Sequence, residues 1–292
     1  VYIIMPKVFN DCKIYNPTEL TYLPVTRSVA ALVRASEPVH VLSFARTQSG
    51  TDAISEADWN VLLQVATRQR CVQQIQVTLN PPAPAAVDTG IARLAANWPN
   101  LETLYLSENQ LTRIPDAIQN FTGLQTLGLD ENRITTIPEW LGAMIGLKEL
   151  SLAKNMLTTI PEWLGNLNGM ANLSLNDNQL TTIPDLVGSM KQLVTLGLSY
   201  NQLASVPDTL GGLNKLQSLE LQNNQLTTLP EAFGNLTSLR YLYLSNNQLT
   251  TLPASIANLA DTLLELDLRR NPISPEEQAR IRALLPSTTI FF

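Results

Sequence analysis

Histidine and cysteine are nearly missing: His40 stands alone, and Cys12 and Cys71 are the two cysteines in 292 residues. The cysteines are too far apart for a CxxC pair, which disfavours zinc and thioredoxin-like chemistry. Two buried free thiols are the expected state, with a disulfide left open. Charge is also scarce, at 15% of residues, and acids outnumber bases to give a net charge of -6. Such a chain repels phosphate backbones unless it carries a local basic stripe, so no nucleic-acid partner is expected. No apolar run approaches the roughly 18 residues that span a bilayer. The opening run from Val1 breaks at Pro6 and Lys7, which does not read as a signal-peptide core.

Catalytic signatures are lacking as well. There is no GxSxG, HExxH, GxxxxGK[ST] or GxGxxG. No catalytic residue, metal site or cofactor is therefore expected. His40 shares the N-terminal region with Cys12 and Cys71, so a Cys-His nucleophilic pair is conceivable there. It keeps one alternative open, an enzyme with its active centre in residues 1–100. No spacing supports that pair, and His40 reads more simply as a residue of a degenerate strand.

What is abundant is leucine and asparagine on a fixed period. Asn109, Asn132, Asn155, Asn178, Asn201, Asn224 and Asn247 follow one another at 23 residues, and Asn271 comes 24 later. The surrounding frame is LxxLxLxxNxL, as in Leu101, Leu104, Leu106, Asn109, Leu111. Alternation at LxL suits a short strand with one buried face. Prolines then recur at 115, 138, 161, 184, 207, 230 and 253, where a missing donor ends the strand and turns the chain back. The few residues left before the next strand suit extended or 3₁₀ turns. Each asparagine can donate to and accept from turn backbone that burial would otherwise leave unsatisfied, so the ladder is read as structural.

This frame resembles the leucine-rich repeat family over residues 101–273. Its 23-residue form resembles the intracellular class of Ras-pathway scaffolds, plant proteins and bacterial pathogens. The resemblance implies an α/β solenoid: a horseshoe with a parallel concave sheet, helical N-terminal cap and short helical C-terminal cap. It also implies a protein-protein interaction scaffold without enzyme activity, monomeric in isolation. As a bacterial effector it would be a virulence protein, cytosolic or secreted into a host cell.

Solenoids cover their terminal apolar surfaces with atypical segments. Residues 1–100 are expected to form an N-terminal cap with helices and two degenerate repeats, around Val39, Leu42, Phe44 and around Val72, Ile75, Val77, Asn80. Helices are predicted from about Pro17 to Ala35, from Ser55 through Ala66, and from about Ala86 to Asn97, with a small hairpin in residues 1–15 around Asn10-Asp11. Residues 274–292 are expected to form a C-terminal cap, with Ser274 as N-cap, Pro275 at the first helical position and Glu277 completing a capping box.

Residues between and after the strand leucines form columns on the concave face. The middle column carries Tyr105, Gly128, Ser151, Ser174, Gly197, Glu220, Tyr243 and Asp267. Flanking it are Glu108, Asp130, Glu131, Glu149, Lys154 and Asp177, then Tyr200, Arg240, Tyr241, Arg269 and Arg270. The expected partner is a protein held there, because tyrosine and arginine dominate interface hot spots while charge orients the encounter. A second candidate contact is the convex strip of Trp140, Trp163 and Leu186, one residue from each of three consecutive repeats. The sequons at Asn120, Asn172 and Asn235 are read as a by-product of composition.

Overall fold

A computed structural model describes the backbone of residues 2–6, 20–24, 41–45, 74–77 and 84–292, and side chains from residue 87 onward. The chain forms two compact units, Val1–Asn132 and Arg133–Phe292.

In the first unit, β1 (Tyr2–Pro6) pairs antiparallel with β2 (Leu20–Pro24) and with β3 (Val41–Ala45). This corrects two expectations. The hairpin partner is residues 20–24, not a segment within residues 1–15, and the helix expected from Pro17 is a strand over Leu20–Pro24. The reason is local: Leu20-Thr21-Tyr22-Leu23 is short, aromatic and β-branched and stops at Pro24, a strand pattern bounded by a breaker. Parallel pairing then runs β3 to β4 (Gln74–Val77), β5 (Thr103–Tyr105) and β6 (Thr126–Gly128), with Leu42 beside Ile75 and Phe44 beside Val77. The helix expected over residues 55–66 lies outside the described residues.

Helix α1 (Pro84–Asn97) begins at proline, whose fixed φ suits the first helical turn. Val87, Ile91, Leu94, Ala95 and the following Trp98 are buried, a spacing that places one stripe inward. The stripe faces the 3₁₀ turn Asp116–Asn120, whose Ile118 is buried too.

The second unit is a run of parallel strands: β7 (Glu149–Ser151), β8 (Asn172–Ser174), β9 (Thr195–Gly197), β10 (Ser218–Glu220), β11 (Tyr241–Tyr243), β12 (Glu265–Asp267) and β13 (Thr289–Phe291). The central leucines, Leu150, Leu173, Leu196, Leu219, Leu242 and Leu266, are buried, and their neighbours face outward. Each buried leucine contributes about 2 kcal/mol of transfer free energy, shared with the repeats beside it.

Between strands the chain returns through 3₁₀ turns such as Glu162–Asn166, Asp185–Ser189 and Asp208–Gly212, each entered from a proline. These turns stack closely, and glycine permits it. A Cβ at Gly165, Gly188 or Gly211 would lie 2.3, 2.2 and 2.3 Å from the carbonyl oxygens of Leu186, Thr209 and Ala232.

The asparagine ladder joins each turn to its predecessor. Asn178 Nδ2 donates to Leu152 O at 2.9 Å and Leu175 O at 3.1 Å, while its Oδ1 accepts from Leu157 N at 3.0 Å. Asn201 repeats this with Leu175 O, Leu198 O and Leu180 N, and Asn224 and Asn247 continue it. In the first unit Asn132 Oδ1 accepts from both Asn109 N and Leu111 N at 3.0 Å. Asn155 serves Ile134 N and Leu152 O, and Asn271 serves Leu249 N and Leu244 O. A buried amide with its hydrogen bonds satisfied on both ends is why the position admits no other residue without loss.

Helix α2 (Pro275–Leu284) follows Ser274, whose Oγ accepts from Glu277 N at 3.3 Å. The capping box is only half formed. Instead of turning back, the Glu277 carboxylate accepts from Thr251 Oγ1 at 2.8 Å, Leu252 N at 3.1 Å and Arg280 Nε at 2.7 Å, fastening α2 to the preceding repeat. The Arg280 guanidinium is the chief reason the Glu277 carboxyl is held down at about 2; burial opposes it, and the Thr251 and Leu252 bonds assist.

Candidate functional site

The face opposite the 3₁₀ turns is laid out by strand register. In the second unit the middle column reads Ser151, Ser174, Gly197, Glu220, Tyr243, Asp267, Phe291, each beside the next. The column before it reads Glu149, Asn172, Thr195, Ser218, Tyr241, Glu265. The two are separated by the buried leucines, so these side chains stand on the open face. In the first unit Gln76, Tyr105 and Gly128 align, and the Tyr105 ring lies where a Cβ at Gly128 would meet Cδ1 at 2.4 Å.

Left-handed backbone marks the rim of this face. Glu108, Glu131, Lys154, Asp177, Tyr200, Asn223, Asn246 and Arg270, each directly before a ladder asparagine, have φ between 53° and 60°. Asparagine tolerates this region, whereas a bulky L-residue there is strained by about 1 kcal/mol or more. Tyr200 is the bulkiest of the eight, and its side chain is 53% exposed. Five residues of the expected columns besides Tyr200 (Glu108, Glu131, Lys154, Asp177, Arg270) share that geometry, which the periodicity alone does not reveal.

The expected residues fall into groups. Tyr241, 38% exposed, and half-buried Tyr243 stand two apart on β11 with Glu220 one strand before. Tyr200 lies two repeats away and past the end of β9, level with Asn246 and so three residues beyond the level of Tyr243. Arg269 is committed to Asp267, Nε to Oδ1 at 2.9 Å and an Nη to Oδ2 at 2.8 Å, and its guanidinium lies 5.4 Å over the Phe291 ring. Burial alone would raise the Asp267 carboxyl, but bonds from Arg269 and Ser245 outweigh it and hold it below the usual range. Arg240 and Arg270 are exposed. Glu149 accepts from Asn172 Nδ2 at 3.0 Å. Asp130 is half-buried in the first unit.

Three contributors escaped the sequence reading. Glu265 occupies the column of Tyr241 one strand on, Asn176 donates to Glu220 Oε2 at 2.9 Å, and the Gln222 amide oxygen is buried with no partner. Glu265 was legible as the next member of the column, shifted by the one-residue insertion before Asn271. Partial burial, then Glu265, Tyr241, Glu220 and Asp267, push the Tyr243 phenol above its ordinary value.

On the turn side Trp140 and Trp163 are half-buried and Leu186 is 40% exposed. Trp163 packs on Gly142, whose Cβ would meet its ring at 2.8 Å, and Leu186 covers Gly165. Packing on a neighbouring turn thus accounts for much of this strip. Among the described residues no group of three or more His, Cys, Asp or Glu is arranged to hold a metal, and no helix is long and apolar enough to cross a membrane. Cys12, His40 and Cys71 lie outside the described residues.

A repeated strand face rimmed by side chains on a stacked leucine core defines a solenoid. Residues 122–180, 168–226 and 227–273 match the leucine rich repeat family, and residues 99–142 match its two-copy form. The chain belongs to the leucine-rich repeat family, whose domains are generally protein-protein interaction modules. It is similar, at 30% identity over 79% of this chain and with a TM-score of 0.63, to the ectodomain of the plant membrane receptor kinase GASSHO1/SCHENGEN3 from Arabidopsis thaliana, solved in complex with CASPARIAN STRIP INTEGRITY FACTOR 2. It spans 27% of that ectodomain. Plant peptide hormone receptor RGFR1, solved with RGF2, is 28% identical over 72% of this chain and 37% of its own, with a TM-score of 0.57. An internalin from Listeria monocytogenes shares the fold at 21% identity, over 80% of this chain and 69% of its own, with a TM-score of 0.64. No curated protein matches the chain.

Proposed function

We propose that this chain is a non-enzymatic recognition module that holds a partner protein or peptide on its open sheet face, with Tyr200, Tyr241 and Tyr243 as anchors. The observation that carries this is Tyr200: an exposed aromatic ring kept in left-handed backbone, at the position where two other repeats have Asn223 and Asn246 and the remaining ones a charged residue. Strain retained where an unstrained residue is available marks a position kept for its side chain. Tyrosine suits that role because it brings a large rigid surface and a polar tip. The similar plant receptors, each solved in complex with a bound partner, support the same reading. Action as a bacterial effector in a host cell goes with this proposal on the resemblance of the 23-residue repeat, as does a monomeric state.

The test is affinity capture with mass-spectrometric identification, run with the parent chain, a Tyr200→Ala/Tyr241→Ala/Tyr243→Ala chain and a Trp140→Ala/Trp163→Ala chain. A protein held by the parent and the tryptophan variant but lost from the tyrosine variant is expected. Loss only from the tryptophan variant would move recognition to the turn side.

A further inference from the structure

Register lays a small grid on β10, β11 and β12: Ser218, Tyr241 and Glu265 in one row, Glu220, Tyr243 and Asp267 in the next. Each tyrosine is therefore the register partner of an acidic residue one strand away, their backbones about 4.8 Å apart. The three carboxylates differ in what they have left to give. Asp267 is buried and both its oxygens are taken by Arg269. Glu220 gives Oε2 to Asn176 and forms no ion pair, and the Glu265 side chain forms neither an ion pair nor a hydrogen bond among the described residues.

The grid thus offers two aromatic rings and two carboxylates with spare acceptor capacity, and its neighbouring cation, Arg269, is spent on Asp267 and acts on Glu265 only through space. We propose that it receives an arginine side chain of the partner protein. This rests on the reading of the sheet face as a protein-binding surface and adds what the partner must present there. A guanidinium brings five N–H donors in a plane that stacks on a phenol ring and pairs with a carboxylate at its edge. A lysine ammonium supplies charge without the plane. An acidic or purely apolar segment would bury Glu220 and Glu265 with their acceptors unmatched. Glu220 is held for this role by Asn176, whose own Oδ1 is fixed by Ser199 N at 2.8 Å.

The test titrates the full chain with fluorescein-labelled tetra-arginine, tetra-lysine and tetra-glutamate peptides, read by fluorescence anisotropy at moderate salt. Glu220→Gln/Glu265→Gln is compared with the charge-matched pair Glu139→Gln/Glu162→Gln in the 3₁₀ turns, and circular-dichroism melts confirm that both fold as the parent does. Tetra-arginine is expected to bind more tightly than tetra-lysine, to weaken at least about tenfold in the first pair and to be unchanged in the second. Equal weakening in both pairs, equal affinity for the two cationic peptides, or binding of tetra-glutamate overturns the proposal. The captured partner separates the two readings. Its loss with Tyr241→Ala/Tyr243→Ala but retention by Glu220→Gln/Glu265→Gln rejects the arginine site and leaves the sheet face standing, while retention by both variants rejects both.

Discussion

Asn176 Nδ2 donates to Glu220 Oε2 at 2.9 Å across β9, where the intervening residue of the row is Gly197. A Cβ at 197 would lie 2.6 Å from that nitrogen. The glycine leaves room for a bond that fixes a carboxylate on the open sheet face. Gly197→Val is expected to displace the amide and release Glu220. Because the displaced atom ends a flexible side chain, the stability loss should be small, about 1 kcal/mol by urea unfolding, while affinity for the captured partner falls. Unchanged affinity would show that the orientation of Glu220 is irrelevant to binding.

The glycines of the 3₁₀ turns have a different role. At Gly188 the obstacle is backbone, the Thr209 carbonyl oxygen at 2.2 Å, so neighbouring turns must separate to admit a methyl. Gly188→Ala should destabilise by about 3 kcal/mol. At Gly142 the obstacle is the Trp163 ring, which can swing, and Gly142→Ala should lose about 1 kcal/mol. Chemical denaturation of both variants checks the order.

Tyr200→Asn should make the protein more stable and less able to bind. Relief of left-handed strain at φ 53° is expected to add about 1 kcal/mol in denaturant unfolding. Affinity for the captured partner should fall in the same variant. A gain in stability with affinity intact would make Tyr200 a tolerated residue and no anchor.

Acid should loosen the α2 end. The folded Glu277 pKa, about 2, is below the 4.5 of an ordinary carboxyl, so its contribution is fully present above about pH 4.5 and is lost as pH falls toward 2. With partial solvent screening, about 2 kcal/mol is expected to go across that window. Glu277→Gln should remove much of the slope in melts between those pH values, leaving a smaller part from Asp267, also held below its usual range. A parent and variant with equal slopes would contradict this role for the Arg280, Thr251 and Leu252 contacts.

The regular repeats were legible because one physical constraint recurs at fixed spacing: a leucine pair that must be buried and an asparagine that must satisfy turn backbone. The N-terminal residues carry no such repetition. Leu20 to Pro24 therefore merges in sequence with a longer apolar-periodic stretch that suggests helix, although its β-branched and aromatic content suits the strand observed. On the open sheet face, periodicity assigns residues to columns but not partners across them. That Arg269 is spent on Asp267, or that Asn176 reaches Glu220 two strands away, depends on side-chain reach. The left-handed rim was hidden for the same reason, since Tyr200 and Arg270 give no hint in sequence of the conformation that Asn223 and Asn246 suggest.

The most direct test of recognition through the sheet face is site-specific photocrosslinking to the captured partner. p-Benzoylphenylalanine would replace Ser151, Ser218 or Tyr241 on the strands, and Trp140 or Trp163 on the turn side. Adducts from the strand positions with none from the tryptophan positions are the predicted result. Adducts from Trp140 or Trp163 with none from the strands would contradict the account.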